Sequence, residues 1–178
     1  VWSRKSLDGF TKKEHNFKGI DKINYAHTAP FNTIVSVYDL CLQLYMLGTI
    51  HILSDRIRTN INLLENYCEN HKINSIVLSA KTVSLFKNKG NTIKKVYVGT
   101  ERISNVYSDD FEILNNYGQS EFGYATTFTI DKPYDNTPVG KPYTDYEVCL
   151  LDENGNEVAQ GEEGEICVIG NCATCYLN

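Results

Sequence analysis

The sequence predicts an α/β fold, with a mostly parallel β-sheet covered by helices, followed by the start of a small antiparallel β-barrel. Between residues 22 and 98, short apolar runs alternate with segments whose apolar residues recur at helical spacing, which is typical of a parallel sheet. After about residue 131 that spacing ends, and short β-type runs are bounded by glycine and asparagine turns. We therefore expect an α/β unit over 1–131 and a β-rich unit over 132–178 that holds an incomplete barrel.

The elements of the α/β unit follow in order from the local patterns. A polar stretch over 3–18 predicts a surface helix, and apolar spacing predicts helices over 34–47, 61–70 and 79–86. Gly48 is predicted to form the C-cap of the second helix, and Ser79 the N-cap of the fourth. Strands are predicted over 22–29, 49–53 (as a buried strand), 73–78, 95–98 and 112–116.

The β-rich unit is predicted to begin with a hairpin. Residues 152–156 form a turn sequence between β-type runs over 147–151 and 157–158, and a further strand is predicted over 164–170. A hairpin with one more strand leaves unpaired edges and is marginal by itself. Since the sequence also begins at Val1 rather than at methionine, we expect it to be part of a longer protein.

Composition narrows the classes of partner. The chain of 178 residues has a formal net charge of −5, which argues against nucleic acid or an anionic membrane surface as its main partner. No apolar run approaches the ~20 residues that span a bilayer. Six cysteines at irregular spacing predict reduced thiols, and hence a cytoplasmic protein.

The segment 115–121, Asn-Asn-Tyr-Gly-Gln-Ser-Glu, is the strongest candidate for chemistry. It is predicted as a strand end followed by a glycine turn, and it presents an amide, an aromatic ring, a hydroxyl and a carboxylate. A tyrosine ring can stack on a purine, and a carboxylate can share a magnesium ion with phosphates. A surface turn with a packed tyrosine is the alternative interpretation of the same residues.

This segment resembles the Asn-x-Tyr-Gly-Pro-Thr-Glu motif of the adenylate-forming superfamily. The resemblance is closest to the amino-acid adenylation domains of nonribosomal peptide synthetases and to D-alanine–carrier-protein ligases, and the superfamily also includes acyl-CoA synthetases and luciferases. Four further stretches resemble family motifs in the same order along the chain: 29–39 (a substrate-pocket helix), 99–101 (a Gly-Gly-Glu loop), 138–142 (Val-Gly-Lys-Pro) and 164–178 (Gly-Glu-Leu…Gly…Gly-Tyr-Leu-Asn).

The resemblance implies a reaction and a set of roles. A carboxylic or amino acid would attack the α-phosphorus of ATP, and the acyl group of the acyl-AMP would pass to the thiol of a carrier protein or coenzyme A. Tyr117 would stack on adenine, Asn115 would hold its edge, and Ser120 would contact the α-phosphate, while Glu121 would bind Mg²⁺. The remaining implied site residues are Gly99, Thr100 and Gly118 for the nucleotide, and Ile34, Asn116, Tyr124 and Ala125 for the acid.

The departures from the family pattern imply a different acid or a loss of activity. At Ile34, amino-acid-activating members carry an aspartate that pairs with the substrate ammonium, so a hydroxy, keto, aryl or fatty acid is favoured here. The stretch 101–114 is shorter than in the family, and Cys175 replaces a glycine. The family's phosphate loop, ribose-binding aspartate and C-terminal lysine domain are not in the sequence, so the isolated chain is expected to be inactive.

Three alternatives stay open at this point. A catalytically inactive remnant of the same fold could act as a scaffold or binding module, and an unrelated α/β binding domain would make the ordered motifs coincidental. Cys172 and Cys175 form a single CxxC pair, which is a weak indication of a metal or redox site. Among the histidines, His51 is predicted to lie in a strand, whereas His15, His27 and His71 are predicted to lie at the surface or in loops.

Overall fold

The computed structural model describes residues 1–3, 20, 22–143, 146–170 and 172–177. The helix predicted over 3–18 falls, apart from Ser3, outside these residues. The helices are α1 (Ile34–Tyr45), α2 (Asp55–Arg58), α3 (Ile61–Asn70) and α4 (Ala80–Leu85), with a 3-10 turn at Lys89–Asn91. The strands are β1 (Asn24–His27), β2 (Thr49–Ile52), β3 (Ser75–Val77), β4 (Lys95–Val98), β5 (Glu112–Gln119), β6 (Gly123–Ile130), β7 (Lys141–Pro142), β8 (Tyr146–Leu151) and β9 (Glu165–Gly170).

The first seven strands form one mixed sheet in the order β2-β1-β3-β4-β5-β6-β7. The pairs from β2 to β5 are parallel, whereas β6 and β7 add antiparallel strands at one side. Strands β8 and β9 pair separately as a two-stranded antiparallel sheet. The predicted fold class is confirmed: a mostly parallel sheet with helices is followed by a small antiparallel sheet.

Helices cover both faces of the large sheet because the central strands are apolar on both sides. In β4, Val96 faces the cluster beneath α3 and α4, and Tyr97 faces the cluster beneath α1. The first cluster is mostly aliphatic, with Leu64 and Ile76 among its members, and it also contains Phe86 and Phe111. The second is rich in tyrosine, and this tyrosine-rich face becomes one wall of the candidate site.

Local signals place several elements correctly. The bounds of α3 and β4 agree with the predicted 61–70 and 95–98, and the Ser79 side chain accepts a hydrogen bond from the Thr82 backbone N–H at the N-terminus of α4. The end of α1 differs from the prediction. Leu47, at φ 54°, adopts the left-handed conformation that was expected of Gly48, and the Gly48 N–H bonds back to the Gln43 carbonyl at 3.0 Å.

Gly48 has a steric role instead. A Cβ at this position would lie 2.9 Å from Gln43 Oε1 and 3.1 Å from Ile23 Cβ, so a larger residue would crowd Ile23 and displace the end of the Gln43 side chain. A strand is present at Thr49–Ile52, as predicted for 49–53, but the prediction that this strand is buried is wrong. β2 is the edge strand of the sheet, and Ile52 is 63% exposed.

Within the described residues, no helix has the length and apolar character that crossing a membrane requires.

Candidate functional site

The site lies where β4 ends beside β5. Val98 pairs with Asn115, and the chain then turns at Gly99, which has φ 141°. A Cβ on Gly99 would lie 1.9 Å from the Asn116 carbonyl oxygen, so the loop can lie this close to β5 only with glycine at this position. Ligands of parallel sheets bind at this carboxyl edge, and Thr100 follows directly in the loop.

The segment 115–121 is not a strand end with a glycine turn, as predicted. β5 continues through Gln119, and the turn comes at residues 120–122, before β6. Pairing with β6 holds the segment extended, with a register shift between Tyr117 and Gly118. A Cβ on Gly118 would lie 2.0 Å from the Gly123 carbonyl oxygen, so this glycine permits close strand pairing rather than a turn.

Two cavities meet along Gly99, Thr100, Gly118 and Gln119. The one we call the nucleotide-side cavity has a volume of about 350 Å³, and its other lining residues include Asn115, Tyr117, Arg102, Thr137 and Val139. The one we call the acid-side cavity has a volume of about 220 Å³, and its other lining residues are Ile34, Val35, Tyr38, Ser120, Gly123 and Tyr124. A pair of adjoining cavities can accept two reactants side by side.

Strand alternation separates the two sides. Asn115 and Tyr117 face the nucleotide-side cavity, whereas Asn116 points to the opposite face of β5. The buried Asn115 side chain donates from Nδ2 to the Pro138 carbonyl at 2.9 Å. With the amide nitrogen held in this way, its Oδ1 is oriented as an acceptor, which suits an exocyclic amino group such as that of adenine.

Of the predicted acid-pocket residues, the structure brings Ile34 and Tyr124 together. Asn116, which is 1% exposed, instead lines a small inner chamber behind Tyr124, and its Oδ1 accepts a hydrogen bond from the Tyr143 hydroxyl at 3.0 Å. Ala125 is fully buried in a cluster with Tyr143 and lines neither space. The position of Ala125 supports packing rather than substrate contact.

Glu121 lies in the turn after β5, beside a third cavity of about 680 Å³ that Ser120 also lines. Its Oε1 accepts a hydrogen bond from the Tyr176 hydroxyl at 2.7 Å, and this contact with a carboxylate raises the pKa of Tyr176. The described residues contain no group of three or more histidine, cysteine, aspartate or glutamate side chains that could hold a metal. One carboxylate fits Mg²⁺ that takes its other ligands from phosphates and water.

A buried polar cluster, of which Tyr25 and Asp39 line the inner chamber, was not predicted. The Tyr25 hydroxyl donates to Asp39 Oδ2 at 2.5 Å, and His27 Nδ1 lies 3.3 Å from the same oxygen. Ser36 Oγ lies 3.2 Å from His27 Nε2. Burial raises the pKa of Asp39, against the lowering effect of its bonds to His27 and Tyr25. His27 is therefore buried at the end of β1, in contrast to the predicted surface or loop position.

Tyr38 is the other residue that sequence reasoning missed. It stands one helical turn after Ile34, and that spacing on α1 is the signal that could have placed it beside the cavity. Its ring is 4% exposed and contacts the Tyr124 ring edge-on, with 4.7 Å between centroids. The tyrosine therefore forms part of the cavity wall.

The comparisons with known proteins agree with this geometry. The family model described as AMP-binding enzyme matches residues 4–177, and the chain belongs to that family. Bacitracin synthase 1 of Bacillus licheniformis is 29% identical over 134 residues, which are 74% of this chain and 2% of that protein. A D-alanine--D-alanyl carrier protein ligase of Lacticaseibacillus rhamnosus is 27% identical over 169 residues, which are 84% of this chain and 33% of the ligase.

Solved structures support the fold. IdnL1 superposes with a TM-score of 0.85 at 19% identity, covering 98% of this chain and 40% of IdnL1. The O-succinylbenzoate coenzyme A synthetase of Bacillus subtilis, in complex with ATP and magnesium ion, superposes with a TM-score of 0.78 at 17% identity, covering 97% of this chain and 38% of that enzyme. The chain spans less than half the length of each of these four proteins.

Proposed function

We propose that this chain is the nucleotide- and acid-binding part of an ATP-dependent adenylate-forming ligase. The ligase would activate a carboxylic acid as acyl-AMP and pass the acyl group to the thiol of a carrier protein or of coenzyme A. The observation that carries the proposal is the pair of adjoining cavities along Gly99 and Gly118. Membership of the AMP-binding family supplies the reaction class.

In this proposal the nucleotide-side cavity takes ATP. The Tyr117 ring stacks on adenine, and Asn115 Oδ1 accepts from its amino group. Gly99 and Thr100 line the opposite face, while Ser120 donates to the α-phosphate. Catalysis in such a site consists of holding the carboxylate and the phosphorus in line and of neutralising charge.

Magnesium would neutralise phosphate charge when it is bound, and Glu121 is its proposed protein ligand. Oε1 already accepts from Tyr176, so the hydrogen bond orients the carboxylate and leaves Oε2 for the ion. The side chains that would complete catalysis lie in the whole protein, and the segment alone is proposed to be inactive. The division into units over 1–131 and 132–178 also stays a prediction.

On the acid side, Ile34 favours an acid without an α-ammonium group. An ammonium beside an isoleucine would lose hydration and gain no counter-charge from this position. A specific test compares alanine with 2-hydroxypropionate, which differ only at that substituent. Preference for alanine would contradict this part of the proposal.

The test of the reaction is acid-dependent pyrophosphate release by the full-length gene product. Glu121→Ala and Glu121→Gln are both expected to reduce the rate by about a hundredfold or more, because each removes the negative charge. The glutamine variant retains an oxygen that can accept from Tyr176, and therefore separates loss of charge from loss of that hydrogen bond. Glu147→Ala, at an exposed position on β8, is the matched control and should retain the wild-type rate.

An inactive remnant that serves as a binding module is the second candidate. Ile34, the short stretch over 101–114 and Cys175 in place of a glycine favour it. Wild-type protein that releases no pyrophosphate with any acid of a broad panel, but still binds ATP, would support this second function and contradict the first.

A further inference from the structure

Two cysteines face each other across the small two-stranded sheet. Cys149 on β8 pairs directly with Cys167 on β9. Residues directly opposite on antiparallel strands project their side chains from the same face of the sheet, so the two thiols are neighbours. Both cysteines are half-buried thiols that form no disulfide in this structure. Neither lines any of the cavities described above, and the proposed ligase reaction uses neither.

The backbone separation at this pair suits a disulfide. The Leu150 carbonyl accepts a hydrogen bond from the Val158 N–H at 3.0 Å, on the side of β8 opposite to β9. Backbone groups alternate in direction along a strand, so those of Cys149 point toward β9 and bond with Cys167. Opposed residues of this kind have Cα atoms about 5.5 Å apart, and disulfides join Cα atoms roughly 4.4–6.8 Å apart. The two thiols can therefore be linked while the strands stay paired.

The environment of Cys167 also indicates that the two thiols are close together. Burial raises the pKa of the Cys167 thiol, and the neighbouring Cys149 and Glu165 raise it further. A raised pKa keeps more of the thiol protonated at neutral pH, so thiol–disulfide exchange at this residue should be slow and should become faster as the pH rises. Burial raises the pKa of Cys68, in α3, much further, to about 12, and that thiol is expected to stay reduced.

The two thiols lie on the face of β8 and β9 that points away from the large sheet. Val168, the next residue on β9, packs against the cluster that contains Ala125. Because side chains alternate along a strand, Cys167 and Cys149 project from the other face. Ile169, which shares their face, is 60% exposed, so a small oxidant in solution has access to this side of the sheet. A bond here leaves the contact with the large sheet intact.

We propose that Cys149 and Cys167 are an oxidative modification site, at which a small disulfide such as glutathione disulfide links β8 to β9 through a reversible cross-strand disulfide. One protein thiolate attacks the oxidant, forms a mixed disulfide and releases one glutathione thiolate. The second protein thiol loses its proton and attacks the protein sulfur of the mixed disulfide, which releases the second glutathione. Two electrons and two protons leave the protein thiols, and the oxidant is reduced to two glutathione thiols.

The disulfide would stabilise the part of the chain that has the fewest partners. A two-stranded sheet is marginal by itself, and a link between 149 and 167 restricts the opened hairpin. The Cβ atoms of opposed residues lie about 4.5–5.5 Å apart, whereas a disulfide needs about 3.5–4.5 Å, so the strands must move together slightly. Strained and partly exposed disulfides are the readily reduced ones, which suits a reversible modification.

The experiment incubates the full-length protein in glutathione buffers of increasing oxidised fraction and blocks the remaining thiols with N-ethylmaleimide. Cleavage at the glutamates between Cys149 and Cys167, followed by mass spectrometry, identifies linked peptides. Wild-type protein should give a peptide pair joined through these two residues, and dithiothreitol should restore both thiols. Amide hydrogens of β8 and β9 should exchange more slowly by about tenfold or more after oxidation, because the link restricts opening of the hairpin.

Three variants test whether the facing positions matter. Cys149→Ser should lose the link. Cys167→Ser combined with Val168→Cys moves the thiol by one position to the opposite face, and it should give less linked peptide by about tenfold or more, because cysteines whose side chains point apart cannot be bridged without backbone movement. Cys172→Ser combined with Cys175→Ser removes the CxxC pair and should keep the link. Thermal melting of each variant confirms that it is folded.

Several results would overturn the inference. Reaction of both Cys149 and Cys167 with N-ethylmaleimide in the most oxidising buffer would do so, as would glutathione mixed disulfides without a cross-strand link. Equal linkage in the folded Val168→Cys variant would show that the register of the two strands does not direct the bond. None of these measurements needs ligase activity, so the inference and the proposed function succeed or fail separately.

Discussion

The two sides of β5 are built differently. On the nucleotide side, Asn115 and Tyr117, which are the proposed nucleotide contacts, belong to a central strand, and the Asn115 side chain donates a hydrogen bond to the Pro138 carbonyl. On the acid side, the wall consists of Ile34 and Tyr38 from a helix and Tyr124 from the next strand. Backbone pairing of β5 therefore positions Asn115 and Tyr117, which would bind ATP, whereas side-chain packing determines the space that is available to the acid.

The largest expected effect comes from a substitution that disrupts β5 itself and therefore both of its sides. Gly118→Ala places a Cβ 2.0 Å from the Gly123 carbonyl oxygen at the junction of both cavities, so β5 and β6 cannot keep their pairing. We expect the free energy of unfolding to fall by about 3 kcal/mol or more in urea titrations. Gly155→Ala is the control, because nothing lies within 4 Å of its Cβ, and its left-handed φ of 81° costs only about 1–2 kcal/mol. Equal losses in both variants would contradict the steric role of Gly118.

The next effect is confined to the nucleotide side. Tyr117→Ala should weaken ATP binding by about 1–3 kcal/mol, the range found for a base stacked on an aromatic ring, as measured by calorimetry on the full-length protein. Tyr117→Phe retains the ring and should restore most of the affinity. The preference between alanine and 2-hydroxypropionate should not change in either variant, and a change would show that the two sides of β5 are not independent.

The smallest effect concerns pH. Because burial raises the pKa of Asp39, the folded state favours the protonated carboxyl, and this contribution to stability is present at low pH and lost as pH rises through the folded pKa. The Asp39→Asn variant should lack this loss of stability as the pH rises above about 4, the usual pKa of an aspartate in the unfolded chain, in urea titrations. The hydrogen bond from the Asn156 backbone N–H lowers the pKa of Asp152, so the ionised carboxylate favours the folded state and stability falls as the pH is lowered. Asp152→Asn should therefore remove a pH dependence of stability that is opposite in sign to that of Asp39. Identical slopes in wild-type and Asp39→Asn protein would contradict the role of Asp39 burial.

The elements that the sequence predicted well depend on local signals. The Ser79 cap and the apolar spacing of α3 are contained within a few residues, and the alternation of strands and helices was enough for the fold class. The wrong predictions depend on distant partners. Gly118 suggests a turn by itself, yet pairing of β5 with β6 keeps it in a strand. The exposure of β2 follows from the order of strands, which no local pattern contains.

The site residues show the same difference between local signals and contacts with distant residues. Within the motif 115–121, Asn115, Tyr117, Gly118 and Gln119 line the nucleotide-side cavity, and a sequence motif can identify them because they lie close together in the chain. The acid wall combines Tyr38 and Tyr124, which are far apart in sequence and meet only through packing of α1 on the sheet. Asn116 and Ala125 were placed in the pocket by resemblance alone, and burial assigns them to the inner chamber and to a packing cluster.

The alternation of side chains along β5 has a consequence for how such a protein can diverge. Positions 115 and 117 face the nucleotide-side cavity and position 116 faces the inner chamber, so under the proposed function a substitution on one face can alter the acid side without touching the proposed nucleotide contacts. An insertion or deletion of one residue would exchange the two faces at once. For the proposed ligase, duplicated copies of this segment could therefore change the acid that they bind by point mutation, whereas a change in the length of β5 would disturb both faces.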